Sequence, residues 1–288
     1  MSLSTGERPR TRTMRSWARA RTGPGTARAR WALLGFAAVI IASTLLGPLI
    51  AAALGLDGAR TTAPAFSPPG EGMPLGTDKL GRDVTARLLT GGAELLGVAA
   101  LSTLAAMLVG IALGLALALS HRLARWLMIL IDTLVVLPSI ITMMLLIYGL
   151  GGGLATIILV MTVVSAPFIA RYTRTLTAQV AGSEYVLMAR LAGDSAPRIA
   201  VREILPNLTG PLLTETGYRF IGSLYLVAAA GFLGLRPLDS GSDWATMVAE
   251  GLPGIALNPW ASLAPALAIA AVTIPVNLLL DRSGTGAR

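Results

Sequence analysis

"SEYVLMARLAGDSAPRIAVREILPNLTGPLL", Ser183 to Leu213, is a charged and punctuated interruption in a chain otherwise dominated by runs of Leu, Ala, Ile and Val. Ser183 stands where a helix N-cap belongs, Glu184 brings negative charge into the first turn, and Gly193 suits a C-cap. A second helix can begin after Asp194 or Ser195 with Pro197 in its first turn, and Pro206 is expected to stop it. The stretch therefore predicts two short helices joined at a glycine. At about 3.6 residues per turn, Tyr185, Met188, Ala189 and Ala192 share a face while Val186, Leu187 and Leu191 point elsewhere, which leaves little polar surface. A helix lying on lipid would show a clean Lys- or Arg-rich face, whereas here Glu184 and Arg190 stand nearly alone. The first helix thus reads as a docking surface for another protein rather than for lipid.

Outward from this stretch the chain is apolar. Of 288 residues, 54% are hydrophobic and 13% charged, and several apolar runs are too long for a soluble core helix. Residues 1–30 mix Arg with Gly, Pro, Ser and Thr without an apolar period, so a disordered basic tail is expected there. Trp31 to Leu54 is uncharged for 24 residues, enough to span a bilayer and longer than the roughly 7–15 apolar residues of a cleavable signal. Residues 55–92 are polar and Pro/Gly-rich and read as a loop. Further spans are expected at Glu94–Leu119, Leu127–Leu150, Leu154–Ala170, Leu208–Leu235 and Ala261–Leu280. The expectation is an all-α, polytopic membrane protein with six transmembrane helices. Five of them form a core over residues 93–281, with a cytoplasmic loop at 171–207 and a short tail at 282–288. Placing the N-terminus in the cytoplasm puts 17 basic residues inside and 5 outside, with Arg219 within a span, so N-in/C-in follows from the positive-inside rule.

The same residues exclude several chemistries. Cysteine is absent and His121 is the single histidine, which removes thiolate chemistry and His-clustered metal sites. The net charge of +8 gathers beside apolar spans, a signal of topology rather than of nucleic acid. Gly151-Gly152-Gly153 is a turn and not a phosphate loop, because the single lysine, Lys79, follows Asp78 and no G-x-x-x-x-G-K-[ST] exists. Asp132 lies within a span, where an acid costs roughly 2.5–3.5 kcal/mol at mid-depth, and a structural hydrogen-bonding role near the interface is favoured over a place on the path. Glu215 and Arg219, four apart with the acid first, suit a self-neutralising helical pair, for which packing is favoured over substrate contact. Pro138, Pro167 and Pro275 lie within spans and can kink them.

A resemblance extends this reading. Glu184, Tyr185, Val186, Ala189, Arg190, Gly193, Arg198, Ile199, Ile204, Leu205, Pro206 and Asn207 resemble the cytoplasmic "EAA" loop of ABC importer permeases in its peptide-importer form. "PLGTDKLGRDVTARLLTGG", Pro74 to Gly92, looks like the segment that marks the C-type permease of dipeptide, oligopeptide and nickel importers, through Gly76, Thr77, Asp78, Gly81, Arg82 and Asp83. "IDTLVVLPS" and "APFIARYTR" match the family's third and fourth spans, and "GFLGLRPLDSGSDWATMVAEG" resembles its last outer loop. The chain departs from the pattern at Met73, Leu187-Met188, Val227, Arg236, Asp239-Ser240 and Ala245. The resemblance implies that the helix at Glu184–Ala192, whose apolar face by periodicity includes Met188, is a coupling helix seated on an ATP-hydrolysing subunit. It also implies a homologous second permease, two ATPases that carry the ATP and Mg, an outer substrate-binding protein, and residence in the cytoplasmic membrane. Neither cofactor nor catalytic residue is expected in this chain. Peptides are the leading cargo and nickel or a metal chelate the runner-up. A proton-driven carrier would rest on Asp132 and Glu215 alone, and a membrane-embedded enzyme has no clustered acid, base or metal site.

Overall fold

A computed structural model describes residues 24–119, 121–151, 153–233 and 243–284. Among these residues ten α-helices follow one another: α1 Pro24–Ala53, α2 Val84–Leu119, α3 His121–Val136, α4 Ser139–Leu150, α5 Leu154–Val180, α6 Glu184–Leu191, α7 Ala196–Ile199, α8 Leu205–Phe232, α9 Trp244–Gly251 and α10 Trp260–Gly284. Among the described residues, strand-like pairing is confined to isolated bridges between residues 61 and 83. The expected tail falls mostly on residues 1–23, outside the described residues, and helix starts at Pro24 rather than Trp31. Arg236 and Asp239-Ser240 also lie outside them.

The six expected apolar regions fall in α1, α2, α3 with α4, α5, α8 and α10. Among the described residues α2 and α5 are long and apolar enough to cross a membrane, and α3 with α4 makes a third if the bent pair is one span. α1 and α10 contribute the shorter apolar stretches Ala38–Ala53 and Trp260–Val276. The span expected at Leu127–Leu150 is not one straight helix but is bent by 100° between α3 and α4. Pro138 is the cause. It has no N–H to continue α3 and disfavours helical backbone at Leu137, and its carbonyl accepts from the N–H groups of Ile141 and Thr142 to start α4. Pro167, by contrast, is carried within an unbroken α5.

The core is built on α2 against α5. A Cβ on Gly110 would stand 2.5 Å from Cβ of Ile169 and 3.0 Å from the Ala166 carbonyl oxygen. One turn on, a Cβ on Gly114 would meet Thr173 Cβ at 2.6 Å and the Ala170 oxygen at 2.7 Å. The two helices therefore touch almost backbone to backbone, the close approach that small residues allow in membranes. At one end α8 and α9 close a cluster containing Leu95, Met143, Ile157, Met161, Leu224 and Trp244. At the other, Ala106, Ile169, Ile204, Leu208 and Val186 form a second. Buried Thr103 donates to Ser223 Oγ at 3.2 Å and ties α2 to α8 between them.

Gly114→Val should lower the thermal midpoint of the detergent-solubilised protein, by an overpacking cost of about 1–3 kcal/mol. Gly97→Ala on the same helix, where a Cβ meets nothing within 4 Å, should leave the midpoint unchanged.

Candidate functional site

Three groups of described residues stand out: a seat at α6, a loop cap at the opposite end, and two ion pairs between them. At the α6 end α5 runs past its expected end at Ala170 to Val180, which carries Arg171 and Arg174 on helix. Ser183 occupies the N-cap position of α6, but its hydroxyl donates to the Val180 carbonyl at 2.7 Å instead of capping. Glu184 and Arg190 sit in the first and last turns, each where the helix dipole favours its charge. Val186 is fully buried, in one cluster with Ile199, Ile204 and Leu208, and Ala189 packs against it. Tyr185, Leu187, Met188 and Leu191 are exposed, Met188 to 65% and Leu191 to 75%. The expected face therefore needs correction: Ala189 turns inward, while Leu187 and Leu191 enlarge the outer apolar surface.

Gly193 closes α6. Its φ is +85°, its N–H donates to the Arg190 carbonyl, and the Asp194 N–H reaches back to the Ala189 carbonyl, each at 3.1 Å. These two bonds are the Schellman closure, and a Cβ at Gly193 would meet nothing within 4 Å, so the demand for glycine is torsional rather than steric. Arg198 pairs with Asp194 across one turn at 3.0 Å. The expectation that Pro206 stops the second helix is overturned. α7 passes through a π-helical turn, Ala200–Ile204, and emerges as α8 with Pro206 in its first turn, flanked by Leu205 and Asn207. The wider turn accommodates a residue with no N–H, and the Asn207 side-chain amide donates to the Glu203 carbonyl at 2.7 Å. α7 is thus joined to α8 by continuous helical backbone, and α6 meets α7 at the Gly193 turn.

At the opposite end, loop residues 55–83 dock on α2, α9 and the start of α10. Asp78 is almost fully buried and accepts hydrogen bonds from the Leu80 and Arg82 backbone at 2.8 and 2.9 Å, from Arg82 Nε at 2.7 Å, and from Arg87 Nη1. Glu250 of α9 faces the same cations, with Arg87 Nη1 at 3.2 Å, Arg82 Nη2 at 3.3 Å and Lys79 Nζ at 3.2 Å. Thr77, fully buried, donates to the Pro64 carbonyl, and Asp83 caps α2 by accepting from the Thr85 N–H at 2.8 Å. Gly76 and Gly81 have φ near +70° and +75°, and a Cβ on either would strike a loop carbonyl at close to 2 Å. Asn258 binds the carbonyls of Leu75 and Thr77, and Trp244 Nε1 donates to the Leu88 carbonyl. Sequence reasoning reached the loop residues and missed Arg87, Glu250, Trp244 and Asn258. The available signal was that Arg87 and Glu250 are opposite charges at the edges of apolar helical regions.

Asp132, for which a structural role was expected, lies 3.5 Å from Arg171 of α5, and both side chains are about half exposed. Glu215 and Arg219 pair as expected at 2.6 Å, with the guanidinium 5.2 Å over the Phe168 ring. Both pairs lie at one level of α5, beside residues 168–171.

Burial pushes the Asp78 carboxyl up, but hydrogen bonds from the Arg82 and Leu80 backbone and the charges of Arg87 and Arg82 outweigh it and hold it below its ordinary value. The unfolded carboxyl, at about pH 3.9, takes up its proton first as pH falls. The stability contributed by Asp78 is therefore complete above about that pH and is lost below it, through the lower folded value. Hydrogen exchange of residues 60–83, corrected for intrinsic rates, should stay slow from pH 7 to about 4 and accelerate below. Asp78→Asn should expose the loop at neutral pH, at a cost of about 3–5 kcal/mol, because it removes a carboxylate that pairs with buried Arg87.

Residues 106–285 match the family model of the "binding-protein-dependent transport system inner membrane component". The chain is 33% identical over 208 residues to a di/tripeptide transport system permease protein of Pseudomonas aeruginosa, covering 72% of this chain and 69% of that one. It is 33% identical over 226 residues to a peptide transport system permease protein of Escherichia coli, covering 78% and 76%. Among solved structures, an inward-facing conformation of the MetNI methionine ABC transporter superposes with a TM-score of 0.54 at 19% identity, over 69% of this chain and 95% of that chain.

Proposed function

We propose, from the premise that the chain belongs to the inner membrane components of binding-protein-dependent transport systems, that it forms half of the path by which an ATP-driven importer takes up peptides. The cargo is inferred from relatives whose names specify peptides or di/tripeptides. The chain is a permease subunit. A homologous second permease completes the path, two ATPases bind ATP and Mg, and an outer substrate-binding protein delivers cargo. Both ends and α6 face the cytoplasm, six helical regions cross the cytoplasmic membrane, and the loop cap faces the binding protein.

The observation that carries this reading is α6. It presents Tyr185, Leu187, Met188 and Leu191 outward while Val186 anchors it to the membrane core. Exposed apolar surface of this kind marks an interaction site. Closure of the two ATPases on ATP would move α6, and the Schellman turn and π turn would transmit that motion through α7 into α8. The spans then alternate access between the two faces, and no covalent chemistry occurs in this chain. A proton-driven carrier has less to rest on, because Asp132 and Glu215 each lie beside an arginine, at 3.5 and 2.6 Å.

In the cysteine-free chain, a single Cys at Ser195 should react with an impermeant thiol reagent only from the cytoplasmic face; labelling from outside intact cells would invert the topology. Gly193→Asp should leave the spans inserted but uncouple hydrolysis from uptake in the reconstituted complex. It forces a side chain to positive φ, at about 1–2 kcal/mol, and adds negative charge at a helix C-terminus. Gly193→Asn should be milder, because Asn tolerates that conformation. Unchanged uptake by Gly193→Asp would remove α6 from the coupling role.

A further inference from the structure

We infer that α8 carries a contact stripe for the cargo itself, formed by Glu215, Tyr218, Arg219, Gly222 and Tyr225, which binds the backbone and charged termini of an extended peptide. The inference rests on the importer reading above and names the part of this chain that meets the transported molecule.

α8 has 28 residues, long enough to cross a bilayer, yet it is not among the helices apolar enough to do so. One side, with Leu208, Leu212, Ile221, Leu224 and Val227, is buried against neighbouring helices. Tyr218 and Tyr225 are exposed on the other, two turns apart, and between them a Cβ on Gly222 would meet nothing within 4 Å. Glu215 and Arg219 bound the stripe at its cytoplasmic end. Tyr218 lies about 20 Å along α8 from its cytoplasmic start, deep in the roughly 30 Å hydrocarbon layer. Tyrosine on a lipid-facing helix belongs at the interfaces, and intramembrane charges face a bundle interior or a water-filled cavity. A tight interface with another helix would be built of small residues rather than of two tyrosines around an open glycine. A water-lined path satisfies all of these residues at once.

The chemistry fits a peptide. Two phenol groups seven residues apart lie about 10 Å from each other along the helix, the length of about three residues of extended chain. Their hydroxyls can donate to and accept from backbone groups, which every peptide carries whatever its side chains. Arg219 and Glu215 neutralise each other when the path is empty, and present opposite charges to the carboxylate and ammonium of a passing zwitterion. Arg219 is held for this by Glu215 and by the Phe168 ring of α5. Contacts shared out in this way are weak and multiple, as conduction requires.

The test uses the complete importer in membrane vesicles, with single cysteines at Tyr218, Gly222 and Tyr225, and at Leu213 as control. Leu213 is exposed and lies on the opposite side of α8 from Gly222. A charged, water-soluble methanethiosulfonate applied to both faces should modify the three stripe positions at least tenfold faster than the control. Gly222→Trp should abolish ATP-dependent uptake of trialanine with subunit assembly intact, whereas Leu213→Trp should retain uptake. Stripe positions as unreactive as the control, or full uptake by Gly222→Trp, would overturn the inference and assign the stripe to lipid or to the second permease. Trialanine uptake by the unmodified importer is measured in the same vesicles. If it is absent, the peptide-importer reading itself fails; if it is present beside an unreactive stripe, this inference alone fails.

Discussion

Two glycines set the distance on which the rest of the protein depends. Gly110 and Gly114 let α2 lie against the backbone of α5 at Ala166 and Ala170, with no side chain of their own between the helices. Once that spacing is imposed, Ile169 and Ala106 sit in one cluster with Leu208 of α8, and Val186 of α6 enters the same cluster. α6 is thus anchored to the core through buried Val186. A methyl group at either glycine would separate α2 from α5 and act on α6 and α8 together, because packed interiors shift as units.

The two ends of the molecule are held by different physics. The α6 seat is apolar and torsional: Val186 holds α6, Gly193 turns the chain, and the π turn conducts backbone into α8. The loop cap is ionic. Two carboxylates, Asp78 and Glu250, meet three cations, Arg82, Arg87 and Lys79, and the cluster joins the loop before α2 to α9, far away in sequence. Buried charges of this kind define a geometry more than they add stability, since desolvation offsets much of their attraction. α9 in turn leans on α2 through Trp244, so the cap and the last two long helices share a frame. α6 is linked to α8 through α7 and the π turn, and the cap is linked to it through α9.

Much of this was legible in the residues because it is local. Apolar runs located the helices, Gly193 announced a positive-φ closure, and the spacing of Glu215 and Arg219 announced their pair. What stayed hidden depends on contacts between distant segments or on a choice among backbone geometries. Pro206 reads as a stop, and only a π turn with Asn207 bonded to Glu203 shows how a helix continues past it. Pro138 reads as a kink and instead turns the chain by 100°. Ala189 and Leu191 exchanged faces because burial of Val186 rotates α6 in a way that periodicity alone does not specify. Arg87 could not be joined to Glu250, nor Asp132 to Arg171, without knowing which helices are neighbours.

The central claim is that the exposed face of α6 is the seat of an ATP-hydrolysing partner. A photoreactive amino acid at Met188, 65% exposed in the free chain, tests it directly in membranes that contain the whole importer. Illumination should yield a cross-link to an ATPase subunit, strongest from position 188 and absent from buried Val186. Cross-links from Met188 to lipid alone, with the ATPases present and assembled, would contradict the account.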